Sequence, residues 1–253
     1  MEVLGIDIGS YGIKGAIVDT EKGEIISNKR STDKIEDMSP HKLIAKMHKI
    51  VKLFEWKGPI GCAFPAPVSN GIIISTNRVD SGWIDTDAEH LFSEITGCPV
   101  SVISDTDAAG LAEMTFGIGK RQKGTVVVLT VDTGIGSSIF VNGVLVPNTE
   151  LGQISIKGST IESQASNRAR KEGGIQRKTW AKRLQHALEH YEKLFHPSLF
   201  ILGGKLSKKA DKTFPYIKLN TRFKAADLRN DASIVGAAYY AASREKQRQV
   251  SSK

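Results

Sequence analysis

The chain has 253 residues, of which 40% are hydrophobic and 25% are charged, and its formal net charge is +8. This is the composition of a globular protein with one large domain or two modest ones. Two distant cysteines exclude a disulfide framework and a cysteine-rich zinc site, and the start lacks a signal-peptide pattern. No apolar run reaches membrane-spanning length, so we expect a cytoplasmic protein with no membrane partner.

The predicted elements of the first half alternate between strands and helices. In chain order they are strands at 3–8, 13–18 and 23–30, a helix at 39–54, a strand at 60–64, a helix at 91–96 and a strand at 100–103. The helix at 39–54 is predicted by its spacing of apolar residues and by the Ser39-Pro40 start.

The second half opens with the same strand–turn–strand pattern. Its predicted elements are strands at 125–131, 137–141 and 144–146, a long helix at 160–195, a strand at 199–202 and a helix at 233–242. The repeat at 3–18 and 126–141 predicts two α/β domains. We expect a smaller domain at 1–107, a larger one at 108–242 and a frayed polar tail at 243–253.

A glycine-rich turn joins the first two predicted strands. Such a turn brings backbone N–H groups close to an anion, although alone it is also typical of a structural hairpin. It lacks the P-loop pattern, and no helix follows as in a dinucleotide fingerprint. Asp7, at the strand end, is a candidate ligand for Mg²⁺. The candidate phosphate-binding residues here are Gly9, Ser10, Tyr11, Gly12 and Lys14.

A second Asp/Gly turn and a Gly-Gly turn occur in the second half. Each follows a continuous apolar strand, and two such Asp/Gly turns in one chain are far more specific for phosphate binding than one. The candidate phosphate-binding residues here are Thr133, Gly134, Gly136, Gly203, Gly204, Lys205 and Lys208.

Positive charge is concentrated at 168–183 and 205–224, where each segment carries seven Lys or Arg residues against one acid. Such segments favour polyanionic partners, and solvated helix faces are the alternative interpretation. No aromatic stacking platform accompanies them, so nucleic acid is not expected.

Taken together, GIDIGSYGIKGAIVD, SDTDAAG, VDTGIGSSIFVNG, VPNTELGQ and ILGGKLSKKADK resemble the ROK sugar kinases, most closely the polyphosphate glucokinases. The resemblance covers residues 3 to about 242. It implies an α/β, two-domain actin-like (ribonuclease H-like) fold with an interdomain cleft. It also implies a homodimer, a hexose substrate, Mg²⁺, and ATP or inorganic polyphosphate as the phosphoryl donor.

The resemblance also assigns roles to residues. Asp105 matches the family's catalytic base, which accepts the proton of the sugar's 6-hydroxyl as that oxygen attacks phosphorus. The positions that the resemblance relates to sugar binding are Asn77, Asp80, Ser104, Asp105, Glu150, Gln153 and Glu162. The chain departs from the usual family residues at Ser10, Ser104, Asp132 and Gln153, which bears on hexose specificity and on activity.

The sequence therefore predicts phosphoryl transfer from polyphosphate, ATP or both to the 6-hydroxyl of glucose or a similar hexose. Two alternatives stay open. One is an ATP-dependent kinase for another hexose or an amino sugar, and the other is a non-catalytic sensor of sugar or polyphosphate.

Overall fold

A computed structural model describes residues 1–9, 11–76, 78–156 and 158–251, except for the side chain of Ser251. Two predicted site residues, Ser10 and Asn77, lie outside the described residues. The strands are β1 Glu2–Gly9, β2 Gly12–Asp19, β3 Glu24–Ile25, β4 Arg30–Ser31, β5 Ile60–Phe64, β6 Val68–Ser69, β7 Ile72–Ile73, β8 Val100–Ser104, β9 Thr125–Val131, β10 Ile135–Val141, β11 Val144–Val146, β12 Ser155–Ile156, β13 Ser159–Thr160, β14 Leu199–Gly204 and β15 Phe223–Ala225. The α-helices are α1 Pro40–Leu53, α2 Ala88–Thr96, α3 Asp105–Thr115, α4 Ile161–Ala165, α5 Asn167–Glu172, α6 Arg177–Phe195, α7 Ala210–Thr213 and α8 Ala232–Ser251.

The chain forms two compact units. The N-terminal unit comprises Met1–Ala112 together with Asp231–Lys253, and the second unit comprises Glu113–Asn230. This division differs from the predicted domains, because α8 packs against β1, β5 and β8 of the N-terminal unit. Residues 243–251 continue α8 as helix, where the sequence had suggested a frayed tail.

The main sheets of the two units are built alike. In the N-terminal unit β1 pairs antiparallel with β2 and parallel with β5, which pairs parallel with β8. In the second unit β9 pairs antiparallel with β10 and parallel with β14, which pairs parallel with β15. The predicted strand–turn–strand repeat is confirmed. Because parallel neighbours end at the same edge of a sheet, turns that follow β1 and β8, or β9 and β14, lie at one edge of their own unit.

α8 approaches the N-terminal sheet closely because glycines lie at the contact. A Cβ added to Gly61 on β5 would collide with the backbone carbonyl of Ala237, and one added to Gly236 would collide with that of Ala108. A local sequence pattern does not reveal such a long-range contact, which explains why α8 was assigned to the other domain.

Several predicted helices and strands are confirmed, and one helix is wrong. α1 begins at Pro40, and its buried residues Leu43, Met47, Ile50 and Val51 lie on one face. The single helix predicted over 160–195 is instead α4, α5 and α6. The predicted strand at 23–30 forms only the two short strands β3 and β4.

Capping and glycine residues explain the breaks in the segment 160–195. Ser166 has an extended backbone between α4 and α5, and its hydroxyl accepts a hydrogen bond from the N–H of Ala169. Gly173 and Gly174 follow α5, and Gly174 has a φ of 59°, which a helix cannot include.

Each unit has its own apolar core. In the N-terminal unit the Trp83 ring packs against Phe64 and Phe92 at centroid distances of 4.9 and 5.7 Å. Trp83 is fully buried, so it belongs to the core. In the second unit Trp180 and Tyr191 of α6 are buried beneath the sheet residues. None of the helices within the described ranges is long and apolar enough to cross a membrane.

Candidate active site

Two carboxylates lie at the carboxyl edge of the N-terminal sheet. Asp7 lies near the end of β1, and Asp105 directly follows β8. The pKa of Asp7 is raised to about 6, first by burial and then by the negative charge of Asp105, while the charges of Lys14 and Arg78 oppose the shift. Lys14 lies opposite Asp7 in the β1–β2 pair. The charges of the candidate base and of the candidate phosphate-binding lysine therefore both act on the candidate metal ligand.

Arg78 holds the candidate base by both of its oxygens. Its Nη1 donates to Oδ2 of Asp105 and its Nη2 donates to Oδ1, each at 3.0 Å. This is the two-pronged geometry that makes arginine–carboxylate pairs strong and directional. Arg78 was not predicted as a site residue, although its place between two predicted sugar-binding positions, Asn77 and Asp80, was a usable signal.

Ser104 is buried and caps α3. Its side-chain oxygen accepts a hydrogen bond from the N–H of Asp107 at 3.1 Å and lies 3.4 Å from the hydroxyl of Thr106. The side-chain cap of α3 is therefore made by Ser104, and Asp105 is the first residue of the helix. Ser104 thus supports the start of the helix that carries Asp105, and its sugar-binding role stays a prediction.

Asp80 lies on the surface and shapes the loop after Arg78. Its carboxylate accepts a hydrogen bond from the N–H of Gly82 at 2.8 Å and so caps a short 3₁₀ turn, Ser81–Trp83. The indole N–H of Trp83 donates to the carbonyl of Met38 at 2.9 Å. The loop that carries Arg78 and Asp80 is therefore anchored in the core by Trp83.

The first glycine turn is a tight hairpin. Gly9 pairs with Gly12, which has a φ of 119°, and a Cβ added to Gly12 would lie 2.5 Å from the carbonyl oxygen of Thr32. Tyr11 is 68% exposed at the tip of the turn. The hydroxyl of Thr32 accepts from the N–H of Ile13 at 3.0 Å and ties β2 to the following segment. The described residues of the turn thus lie at the carboxyl end of β1 and are tied to the segment at Thr32.

The second turn is supported by a carboxylate from α4. Oε2 of Glu162 accepts a hydrogen bond from the N–H of Ile135 at 2.7 Å. A Cβ at residue 134 would lie 2.5 Å from the same oxygen, so a larger residue there would push the carboxylate away from this position. Arg168 lies 3.8 Å from the other carboxylate oxygen of Glu162. Glu162 therefore anchors the turn, whereas the sequence analysis considered it only as a sugar ligand.

The second and third glycine turns lie side by side. β9 and β14 are neighbours, with Gly204 opposite Val131 in the register. Across them, Lys205 Nζ lies 2.7 Å from Oδ1 of Asp132. The structure thus brings the predicted phosphate-binding residues of these two turns to one edge of the second sheet. Lys208 follows in a short 3₁₀ turn, Ser207–Lys209, and is exposed.

The predicted sugar-binding segment at 150–153 is tied to the start of β10. The Ser137 hydroxyl donates to the carbonyl of Thr149 at 2.6 Å and accepts from the N–H of Leu151 at 3.0 Å. Glu150 is half-buried and Gln153 is exposed. The segment therefore lies close to the second glycine turn within the same unit.

The described ranges contain no group of three or more His, Cys, Asp or Glu residues placed to hold a metal ion. Mg²⁺ usually binds through one or two carboxylates together with substrate phosphates, so a site built on Asp7 fits this ion without a protein cage.

Comparison with structures of known proteins defines the class of fold. A crystal structure of inorganic polyphosphate/ATP-glucomannokinase from Arthrobacter sp. strain KM is 40% identical, with a TM-score of 0.92 over 96% of this chain and 99% of that one. A ROK family glucokinase from Streptomyces griseus, in complex with glucose and AMPPNP, is 22% identical with a TM-score of 0.80 over 96% of this chain and 100% of that one. The fold is the actin-like fold of sugar kinases, as predicted.

The sequence comparisons identify the family. The model of the ROK family matches residues 3–154. Polyphosphate glucokinase from Mycobacterium tuberculosis is 39% identical over 236 residues, which are 93% of this chain and 89% of that protein. The chain belongs to the ROK family, which confirms the resemblance seen in its motifs.

Proposed function

We propose that the protein transfers a phosphoryl group from inorganic polyphosphate, ATP or both to the 6-hydroxyl of glucose or a similar hexose. The observation that carries this proposal is the pairing of Asp105 and Asp7 at one sheet edge, in a ROK family chain similar to polyphosphate glucokinases. One carboxylate suits a general base and the other suits a magnesium ligand, and phosphoryl transfer to an alcohol needs both functions.

In this proposal Asp105 accepts the proton of the acceptor hydroxyl. Its side chain is 21% exposed, so it is accessible to a substrate while being held in place. It is the first residue of α3, whose first N–H groups carry partial positive charge. A positioned base of this kind contributes about 100- to 10,000-fold to the rate.

Asp7 would hold Mg²⁺ together with oxygens of the donor. When bound, the ion neutralises negative charge on the transferring phosphoryl group. Asp7 is half-buried and its pKa is raised, which fits this assignment because a nearby cation relieves the repulsion between Asp7 and Asp105. Lys14, opposite Asp7, would contact the donor phosphates.

On the donor side, the glycine turns of the second unit and two basic segments support a polyanionic donor. The Arg177 Nη1 donates to the Thr213 hydroxyl at 3.1 Å and joins the start of α6 to α7, so the two basic segments are neighbours. Lys178, Lys182 and Arg183 on α6 are exposed. The side chains on α6 and those around Lys208 would form one track along a chain of phosphates.

On the acceptor side, the resemblance relates Asn77, Asp80, Glu150, Gln153 and Glu162 to sugar binding. Carboxylate and amide groups suit this role because each can fix a sugar hydroxyl by a directed hydrogen bond. Gln153 can both donate and accept, as a histidine does, so its presence is compatible with a hexose ligand. A homodimer, which the family resemblance implies, belongs to the proposal as well, and sedimentation equilibrium tests it.

A second candidate is a non-catalytic sensor of sugar or polyphosphate. The bidentate Arg78–Asp105 pair favours it, because a base held by both oxygens is less available to a hydroxyl. The kinase is preferred because the carboxylate that the reaction needs is retained and accessible.

The discriminating experiment is a phosphorylation assay that crosses glucose, mannose and N-acetylmannosamine with ATP and with polyphosphate, each with and without Mg²⁺. Release of hexose 6-phosphate supports the kinase. Saturable sugar binding without turnover for any donor would instead support the sensor. The Asp105→Asn variant serves as the control for contaminating kinases.

A further inference from the structure

The contact between Arg78 and Asp105 has a geometry that bears on which acceptors the base can use. Both carboxylate oxygens receive a guanidinium N–H at 3.0 Å, and the side chains are 37% and 21% exposed. The guanidinium thus occupies both oxygens of the candidate base. Arg78 also acts electrostatically on Asp7, so its charge lies close to both carboxylates.

A solvent-accessible carboxylate beside a phosphoryl donor can also promote hydrolysis of that donor. Water at about 55 M is itself an acceptor, and the base that activates a sugar hydroxyl can also activate water. In that reaction the water oxygen bonds to the terminal phosphorus, the bond from phosphorus to the bridging oxygen breaks, and Asp105 takes the water proton. The products are inorganic phosphate and a donor shortened by one phosphoryl group.

We propose that Arg78 prevents Asp105 from activating water, so that the phosphoryl donor is consumed only when a sugar is bound. The inference rests on the proposed kinase function and adds a specificity-determining residue to it. Arg78 acts through the base, so it is a positioning residue rather than a catalytic one.

The physical basis is a difference in binding energy between the two acceptors. A hexose carries several hydroxyls whose hydrogen bonds to the protein can offset the loss of one N–H···O contact between Arg78 and Asp105. Water has no further hydroxyls that could bind the protein, so it cannot offset the loss of a contact between Arg78 and Asp105. Both oxygens of Asp105 therefore stay occupied by Arg78 when water approaches. Displacing one of the two N–H groups frees one oxygen for the sugar hydroxyl, while the other N–H still holds the carboxylate in place.

The N-terminal unit offers a matched control. Arg244 on α8 contacts Glu89 on α2 at 2.8 Å, with side-chain exposures of 28% and 13%. Glu89 in turn accepts a hydrogen bond from the N–H of Val102 on β8. This is also a partly buried arginine–carboxylate pair, joined through Arg244 Nη1 and Glu89 Oε1, and neither residue belongs to the proposed reaction site.

The experiment measures phosphate release without sugar and hexose 6-phosphate formation with saturating glucose, using the full chain with Mg²⁺ and polyphosphate or ATP. Arg78→Gln is expected to raise the ratio of sugar-independent hydrolysis to phosphoryl transfer at least ~10-fold. This increase is smaller than the ~100- to 10,000-fold that a positioned general base contributes to a rate. Arg244→Gln should leave the ratio at the wild-type value. The double variant Arg78→Gln with Asp105→Asn should lose the added hydrolysis.

An unchanged ratio of hydrolysis to transfer in Arg78→Gln overturns the inference. So does an increased rate of sugar-independent hydrolysis that persists in the double variant. In either case, formation of hexose 6-phosphate by the wild type leaves the proposed kinase function intact. A wild type that forms no hexose 6-phosphate removes both. Thermal melts of each variant verify folding. If Arg78→Gln does not fold, Arg78→Lys, which keeps the charge but cannot form the two-pronged contact, replaces it with the same expected direction.

Discussion

Glu113 is a buried carboxylate whose removal gives a sharp test of the second unit's architecture. Its side chain is 1% exposed, and Oε1 accepts from the N–H of Leu228 at 2.7 Å. Oε2 accepts from the N–H groups of Asp227 at 3.1 Å and Ile118 at 3.3 Å. One carboxylate thus holds the loop after α3 against the segment after β15. The sequence analysis gave no sign of this role.

Replacing Glu113 by Gln keeps the shape and one acceptor oxygen. The amide oxygen can still serve Leu228, but the NH₂ group then faces the N–H groups of Asp227 and Ile118. Leaving a buried donor unpaired costs ~1–3 kcal/mol, and two donors are affected. The hydrogen bond from Ile118 is long, at 3.3 Å, so its loss should cost an amount near the lower limit of that range. Burial of the charged form raises the pKa of Glu113, so the neutral amide recovers part of this cost. We expect a net loss of about 3 kcal/mol in the free energy of unfolding.

Thermal unfolding followed by circular dichroism measures the effect. A loss of about 3 kcal/mol corresponds to a fall in Tm of roughly 6–12 °C for a protein of this size. Glu172→Gln, at an exposed position at the end of α5, is the matched control and should change stability by less than ~0.5 kcal/mol. A Tm for Glu113→Gln within about 2 °C of the wild type would refute the proposed clamp.

The direction of the Glu113 pKa shift gives a second measurement on the same variant. Because the pKa is higher in the folded state than the ordinary 4.5, the folded protein binds this proton more tightly than the unfolded chain. Stability from this group therefore falls as the pH rises from 4.5 through the raised pKa. The advantage of the wild type over Glu113→Gln should shrink across that window, and an advantage that grows with pH contradicts the assignment.

The remaining predictions concern the site and the thiols. Asp105→Asn should lower turnover at least ~100-fold while sugar binding, measured by calorimetry, persists; turnover above ~10% of wild type contradicts general-base catalysis. Charge reversal at Lys208 and Lys209 should raise the Michaelis constant for polyphosphate more than that for ATP, most strongly at low salt, and equal effects on both donors argue against a polyphosphate track. Burial raises the pKa of the Cys62 and Cys98 thiols, so both should react with Ellman's reagent at pH 8 only after unfolding, and fast reaction of the native protein would show that the cysteines are not buried.

The sequence alone was sufficient for features that depend on local periodicity and on motif order. α1 follows from its apolar spacing, and the paired hairpins β1–β2 and β9–β10 follow from two similar strand–turn–strand segments. Family membership followed from motifs spread over nearly the whole chain. These features are encoded in residues close together in sequence, or in the order of short segments, so no knowledge of packing was needed.

Tertiary structure decided the partners of individual side chains. Arg78 and Asp105 are 27 residues apart, and Glu113 and Leu228 are 115 apart, so no local pattern links either pair. The same holds for Lys205 and Asp132, which meet because β9 and β14 are neighbours in the sheet. α8 joins the N-terminal unit because small residues let it approach β5, and the helicity of a segment does not specify the surface it covers. Periodicity fixes which face of an element is buried, whereas only the folded chain determines what that face and its polar neighbours contact.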